Sequence, residues 1–284
     1  MKLFDIVRLL RPLQWYKNLL VVLPLIFSRN LLNADAIVTT LFAFGSLCAV
    51  SSASYVLNDI ADRSKDRLNP EKASRPLASG RVGIVTAVFL ILLLCFVGFG
   101  LAVLLPSKFL FVVLALFALS QLYTIWLKHE VFADILAVSV NFVLRAVSGA
   151  FAIDVILSPW LIAGVFFLAL FLIVGKRKGE LSMLKENAFS HRRVLREYTP
   201  EIISKLSVLS TASLVLSYSL YVFFGHFHLL FITLPVALYA IFRYDSLISG
   251  GSVVARHPER VFTDLRMCFA MVLWGALTIG VLYF

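Results

Sequence analysis

The stretch Asn58-Asp59-Ile60-Ala61-Asp62-Arg63-Ser64-Lys65-Asp66 follows directly on an uncharged apolar run, residues 36–57, and the junction between the two decides the fold. A run of that length crosses a hydrocarbon core of about 30 Å, which takes roughly 20 helical residues. If the helix continues past Leu57 at about 100° per residue, Asn58, Asp62, Asp66 and Asp59 fall at about 0°, 40°, 80° and 100°, on one face. Crowded carboxylates repel one another unless a cation sits between them. Hard oxygen donors of this kind suit Mg²⁺, which usually also takes oxygens from a substrate phosphate. Asn58, Asp62 and Asp66 are therefore the expected metal ligands, with Asp59 in support. The competing reading is a solvated helix end in which Arg63, Lys65 and Arg67 balance the acids. The loop then runs through Lys72, Ala73, Ser74, Arg75 and Pro76 to Arg81. Beside a metal site, Lys72 and Arg75 read as phosphate clamps, since a guanidinium pairs bidentately with phosphate.

Outward from this junction the same apolar signal recurs. Residues 86–105, 109–127, 155–175 and 267–284 are further uncharged runs of spanning length. Residues 206–242 are too long for one span and are interrupted by His226, Phe227 and His228, so they split into two helices. Residues 14–28 and 133–153 each carry one basic residue, Lys17 and Arg145. The expected fold is an all-α integral membrane protein: a bundle of nine transmembrane helices in a single domain over 1–284, with residues 1–12 forming an interfacial amphipathic helix.

Composition agrees. The 284 residues are 61% hydrophobic and 15% charged, with a mean hydropathy of +0.93. Soluble domains are about half apolar and a quarter charged, so a water-soluble globule is excluded. A formal charge of +10 in a soluble protein would suggest nucleic acid; here it reports orientation instead. Of 26 Lys and Arg, only Lys17, Arg29, Lys108 and Arg145 lie inside helices or in loops opposite the N-terminus, so by the positive-inside rule the N-terminus is cytoplasmic in the plasma (inner) membrane. Arg8 and Arg11 interrupt any signal-peptide core. Cys48, Cys95 and Cys268 all sit in apolar runs, with no spacing of a zinc site or disulfide framework. The outer loops are short, whereas the cytoplasmic loops 58–83 and 176–204 are long and charged, the kind that carries function. Residues 243–266 form a weaker third.

Two more polar constellations stand out. The first spans Tyr123-Thr124-Ile125-Trp126-Leu127-Lys128-His129-Glu130, leads into a loop over 128–133, and continues along the next helix. With Asp134 at 0°, Asn141 falls at about −20° and Arg145 at about +20°. Intramembrane ionisable residues usually face a cavity and mark function. Asp134 and Arg145 are about 16 Å apart along a straight helix and cannot pair, so the stripe is read as bridging a polar substrate. The second, Lys176-Arg177-Lys178-Gly179-Glu180, closes the sixth span at the cytoplasmic surface, where cations suit substrate phosphate, the helix dipole and lipid headgroups alike. Lys17 is near enough to the interface to snorkel.

These residues carry a resemblance. Asn58 to Asp66 matches the N-D-x-x-D-x-x-x-D motif of the UbiA-type intramembrane prenyltransferase superfamily, whose members are similar in having nine helices and polar motifs after helices two and four. Arg11-Pro12-Leu13-Gln14-Trp15-Tyr16-Lys17-Asn18, Asn69-Pro70 through Arg75-Pro76, Leu127-Lys128-His129 and Phe142-Val143-Leu144-Arg145-Ala146 look like its decaprenyl-phosphate phosphoribosyltransferase branch. The resemblance implies transfer of 5-phosphoribosyl from phosphoribosyl pyrophosphate to a polyprenyl phosphate, giving polyprenylphosphoryl-5-phosphoribose, a precursor of cell-wall arabinose donors. In it, Mg²⁺ on Asn58, Asp62 and Asp66 would hold the donor pyrophosphate. Lys17, Arg75, Lys128, Lys176 and Arg177 would clamp phosphate oxygens, with Tyr123 and Glu180 also in contact with substrate. Asp134, Asn141 and Arg145 would orient the ribose and its 5-phosphate. Asp62, Asp66 and Asp134 are the expected catalytic residues. The implied partners are the donor, the polyprenyl phosphate and membrane lipid, not nucleic acid, with a homo-oligomer left open. One departure from the superfamily matters: prenyl-transferring members usually carry a second D-x-x-x-D, whereas Asp134 is followed at i+4 by Val138. Prenyl transfer to an aromatic acceptor is the neighbouring alternative. A membrane transporter is the non-enzymatic one, and it would want polar residues spread through inverted repeats.

Overall fold

The computed structural model describes residues 3–69, 72–183, 197–225, 227–252, 254 and 258–284, and among them every regular element is helical. In chain order these are α1 (Leu3–Leu10), a 3₁₀ helix (Pro12–Val22), α2 (Leu23–Phe27), α3 (Ala34–Ala61), α4 (Arg63–Leu68), α5 (Ile84–Val103), α6 (Ser107–Ile125), α7 (Ala133–Ala152), α8 (Pro159–Met183), α9 (Pro200–Phe224), α10 (Leu234–Ser249) and α11 (Leu265–Tyr283). Eight helices among the described residues are long and apolar enough to span a membrane, the α10 span including the 3₁₀ turn His228–Thr233 before it. The chain is an integral membrane protein.

Residues 14–28, expected as one α-helical span, fold differently. Pro12 opens a 3₁₀ helix and Leu23 N–H bonds to the Leu20 carbonyl, the i→i−3 pattern. Pro24 has no N–H to give to the carbonyl four residues back, so α geometry cannot run continuously through this point. The split between residues 206 and 242 occurs as the sequence suggests: α9 stops at Phe224 and helix resumes at His228; His226 itself lies outside the described residues. Two boundaries shift. Lys176 to Glu180 lie inside α8, which continues to Met183, so they do not close it. Arg243 and Asp245, expected in a loop, lie on α10.

The chain divides into two compact units. In the first, residues 1–127 and 144–156, α3 is the centre. Asn33 caps it, its Oδ1 accepting from Asp35 N–H (3.1 Å) and Ala36 N–H (3.2 Å). Its small residues let neighbours approach closely, as membrane helices require: a Cβ on Gly98 of α5 would come within 2.6 Å of Val50, and Ser46 Oγ donates to the Gly98 carbonyl at 2.7 Å. The 3₁₀ helix also packs without clearance, since a Cβ on Gly149 would lie 2.1 Å from the Val21 carbonyl oxygen. On α1, Leu9 is buried against Ala53, Val56, Leu77 and Val82. The face of α1 that packs is that of Asp5 and Leu9, while Phe4 and Val7 are exposed.

The second unit, residues 128–143 and 157–284, holds two apolar clusters. Phe171, Leu214, Tyr244, Ile248 and Met267 join α8 to α11. Ile135, Leu170, Val174, Tyr198 and Ile203 gather the start of α7, α8 and the entry to α9.

Candidate functional site

The acidic junction keeps its helical course with one kink. α3 ends at Ala61 and α4 begins at Arg63, with Asp62 between them at φ −92°, ψ 4°. The ladder nevertheless passes through: Asp62 N–H donates to the Asn58 carbonyl at 2.9 Å and Asp66 N–H to the Asp62 carbonyl at 2.8 Å. Asn58, Asp62 and Asp66 therefore follow one another turn by turn, as the sequence spacing requires. Asp59 and Asp66 are buried, 2% and 3% exposed, and Asp62 and Asn58 half-buried.

Two buried carboxylates need countercharge, and it comes from the loop after α4 and from Arg11, 48 residues before Asp59. Arg75 Nη1 lies 2.9 Å from Asp59 Oδ1 and 2.7 Å from Asp66 Oδ2, bridging the pair through one nitrogen. Arg11 pairs with the same Asp59 oxygen and stacks on the Tyr55 ring at 5.4 Å. Lys72 Nζ is 3.8 Å from Asp66. Of the cations on α4 itself, Arg63 Nε donates to the Leu77 carbonyl (3.1 Å) and Arg67 Nε to that of Ala78 (2.9 Å). These bonds fasten the loop that carries Arg75 onto α4. A further pair of contacts ties the loop to α1, Arg8 to Ser74 Oγ at 3.1 Å and Arg81 to Asp5 at 3.3 Å. Arg11 turns the chain into the 3₁₀ helix with a left-handed φ of 53°, a conformation that costs a non-glycine residue roughly 1–2 kcal/mol. Burial, more than any neighbour, lowers the Arg11 pKa, while Asp59 opposes the shift.

The donor set fits a hard divalent cation in kind, being carboxylate and amide oxygens on successive turns. In arrangement, a guanidinium nitrogen stands where Asp59 and Asp66 converge. Among the described residues no group of three or more acidic, His or Cys side chains is gathered around a common point.

The α7 stripe has two different sets of partners. In the first unit, Arg145 Nε donates to Asn18 Oδ1 at 2.8 Å. Asn18 is fully buried, also accepts from Ser51 Oγ and donates to Cys48 Sγ, both at 3.3 Å. In the second unit, Asp134 is wholly buried; Arg177 reaches its Oδ2 at 3.0 Å and Tyr198 donates to its Oδ1 at 2.6 Å. Arg177, only 1% exposed, also pairs with Glu180 at 2.6 Å. This turns the Arg177 side chain inward, toward Asp134 and Glu180. Tyr198 OH accepts from Phe132 N–H at 3.0 Å, fixing the start of α7 where Phe132 itself takes a φ of 63°. Asn141, Lys128, Lys176 and Tyr123 are half-buried. Lys17 Nζ donates to Gln14 Oε1 at 2.6 Å and lies 5.7 Å from the Tyr16 ring centre. Of the expected loop 176–204, residues 184–196 lie outside the described residues.

Sequence reasoning gave no site role to Arg11, Asn18 or Tyr198, although the first two bound a stretch that carries the resemblance. Arg11 read as an interfacial cation. An amide inside an apolar run was the available signal for Asn18. Nothing local marks Tyr198, whose partners lie 64 and 66 residues away.

Comparison with known proteins adds the following. The model of the UbiA prenyltransferase family matches residues 19–249. A decaprenyl-phosphate phosphoribosyltransferase of Mycolicibacterium smegmatis is 31% identical, covering 97% of this chain and 91% of that protein. One of the same name from Mycobacterium tuberculosis is 30% identical over 97% and 93%. Among solved structures, a UbiA homologue from Archaeoglobus fulgidus bound to GPP and Mg²⁺ is similar with a TM-score of 0.73 at 18% identity, over 99% of this chain and 100% of that one.

Proposed function

Because this chain belongs to the UbiA prenyltransferase family, we propose that it transfers 5-phosphoribosyl from phosphoribosyl pyrophosphate to a polyprenyl phosphate, releasing pyrophosphate. The observation that carries the reading is likeness along nearly the whole chain to relatives bearing that activity's name. The charge chemistry supports it: the acidic junction is rich in both carboxylates and guanidiniums, which suits a diphosphate that arrives with a cation.

In the reaction a phosphate oxygen of the lipid attacks C1 of the ribose as the bond from C1 to the pyrophosphate oxygen breaks, and the electron pair leaves with pyrophosphate. Mg²⁺ held by Asn58, Asp62 and Asp66 would neutralise charge on that leaving group. Arg75, with Lys17 from the same unit, is assigned to phosphate oxygens, and Asp59 to support of the metal ligands. Arg145, with Tyr123, is assigned to the ribose 5-phosphate end. From the second unit, Lys128, Asp134, Asn141, Lys176, Arg177 and Glu180 are assigned to substrate contact or its support. The acceptor is already an anion, so no strong base is required, in keeping with an α7 that contains no His. The product is polyprenylphosphoryl-5-phosphoribose.

The reading also sets a topology. Eleven 3₁₀ residues and five α residues over Pro12–Phe27 reach about 30 Å at roughly 2.0 and 1.5 Å per residue, enough for a ninth crossing. Nine crossings with a cytoplasmic N-terminus put Asp62, Asp66 and Arg75 on the cytoplasmic side of the plasma membrane.

The test is a transfer assay with purified protein, offering labelled phosphoribosyl pyrophosphate with polyprenyl phosphate against labelled prenyl pyrophosphate with an aromatic acid. Label appearing in the lipid only in the first pairing is expected; label moving only in the second overturns the reading.

A further inference from the structure

Arg75 meets both buried carboxylates through the same nitrogen, 2.9 Å from Asp59 and 2.7 Å from Asp66. A divalent cation on Asp66 competes with Arg75 for the same carboxylate, since an oxygen-coordinated Mg²⁺ sits only about 2.1 Å from its ligands. We propose that Arg75 and the divalent cation are alternative occupants of the Asp59–Asp66 pair, so that the loop guanidinium closes the pair to free metal until an anionic diphosphate draws it away. The inference rests on the diphosphate donor of the proposed function and adds an order to it: metal is taken up with the donor, not before.

Three features support the exchange. When Arg75 leaves, Asp59 keeps Arg11 while buried Asp66 keeps Lys72 at 3.8 Å, so Asp66 loses its nearest cation and an entering metal replaces that charge. The Arg75 side chain is 26% exposed while its loop is pinned by Arg63 and Arg67 to the carbonyls of Leu77 and Ala78, so the side chain can move without the backbone. A diphosphate offers a guanidinium a bidentate partner as good as the carboxylates it gives up. Arg11 differs: it pairs with Asp59, not with Asp66, and serves as the control.

The experiment uses purified protein in detergent with no diphosphate present. Mn²⁺ binding is read by electron paramagnetic resonance and thermal unfolding is followed with and without Mg²⁺. Wild-type protein should bind Mn²⁺ weakly and melt at a temperature indifferent to Mg²⁺. Arg75→Gln should bind Mn²⁺ at least about tenfold more tightly, the scale of one lost charge-assisted competitor, and its melting temperature should rise with Mg²⁺. Arg11→Gln removes the same charge but leaves the bridge, so its Mn²⁺ affinity should change less than about threefold, well under the scale of a lost bridge. An Arg75→Gln protein that folds only in Mg²⁺ also supports the exchange. The proposal is overturned if Arg75→Gln binds Mn²⁺ no better than wild type, if Arg11→Gln matches it, or if Arg75→Gln stays unfolded in Mg²⁺. Absence of phosphoribosyl transfer would sink the functional reading and leave these metal affinities standing, so the two failures are distinguishable.

Discussion

Asn18 Oδ1 accepts a 2.8 Å hydrogen bond from Arg145 Nε although 127 residues separate them, and both side chains are buried. A neutral amide in a 3₁₀ helix thus holds a guanidinium on α7. A hydrogen bond to a charged group is worth about 1.5–3 kcal/mol, and a buried donor deprived of its acceptor forfeits that stabilisation. Asn18→Leu should lower stability by about that amount, measured by thermal unfolding in detergent. Asn18→Asp, which supplies a carboxylate to the same nitrogen, should be less harmful. If the leucine variant melts with wild type, the bond contributes nothing.

A second prediction concerns the acidic junction. Asp62→Asn and Asp66→Asn each remove a charge with little change in volume. Phosphoribosyl transfer should fall by at least about a hundredfold, and the Mg²⁺ concentration giving half the residual rate should rise. Normal turnover of both variants at low Mg²⁺ would mean these acids are a solvated helix end.

A third follows from Tyr198. Burial first, and then its hydrogen bond to Asp134, push the phenol pKa well above its usual value near 10. A raised folded-state pKa stabilises the protein while the unfolded phenol is still protonated, and that contribution declines as pH rises above about 10. Tyr198→Phe lacks it. The stability difference between wild type and Tyr198→Phe should therefore be constant up to about pH 10 and shrink above it. A difference that grows with alkalinity contradicts the direction of the shift.

These residues also mark how far the sequence could be read. Eight of the nine expected spans were legible, in order, because hydropathy depends on length and composition, which residues 36–57 or 86–105 display on their own. The turn-by-turn spacing of Asn58, Asp62 and Asp66 was legible for the same reason, being local. The 3₁₀ course of Pro12–Val22 was not, because a hydropathy run has the same appearance at either pitch. Partners were the least legible. Arg177 read as a surface cation because a charge at a helix end is ordinarily solvated; its burial depends on Asp134, 43 residues earlier. Arg75 was recognised as an anion-seeking residue, yet its position between Asp59 and Asp66 depends on a loop held by Arg63 and Arg67.

A fourth prediction is topological. Ser74 is exposed on the loop beside Arg75. With Cys48, Cys95 and Cys268 replaced, Ser74→Cys should resist a membrane-impermeant thiol reagent applied to intact cells and react after the cells are opened. Labelling from outside would reverse the orientation drawn from the cation distribution.

The last prediction separates phosphoribosyl from prenyl transfer through Val138 and Arg145. A prenyl pyrophosphate is charged at one end only, so its donor site needs one set of metal and phosphate contacts and otherwise apolar walls. Phosphoribosyl pyrophosphate carries a second phosphate on C5 and hydroxyls on C2 and C3, which demand a cation and hydrogen-bond partners away from the metal. Arg145 lies about three turns along α7 from Asp134, where an isoprenoid would have no use for it. Arg145→Met keeps much of the side-chain length and removes the charge and donors. Losing a charge-assisted contact to phosphate should cost about a hundredfold in kcat/KM for the donor, with the apparent affinity for polyprenyl phosphate nearly unchanged. Asn18→Leu provides the comparison: it loosens Arg145 without removing its charge, so a merely structural Arg145 would make the two variants lose stability alike and keep activity per folded molecule. Val138→Asp restores the D-x-x-x-D spacing from Asp134 but leaves Arg145 in place, and should not create prenyl transfer. Full phosphoribosyl transfer by Arg145→Met, or efficient prenyl transfer by Val138→Asp, would remove the sugar phosphate from this stripe.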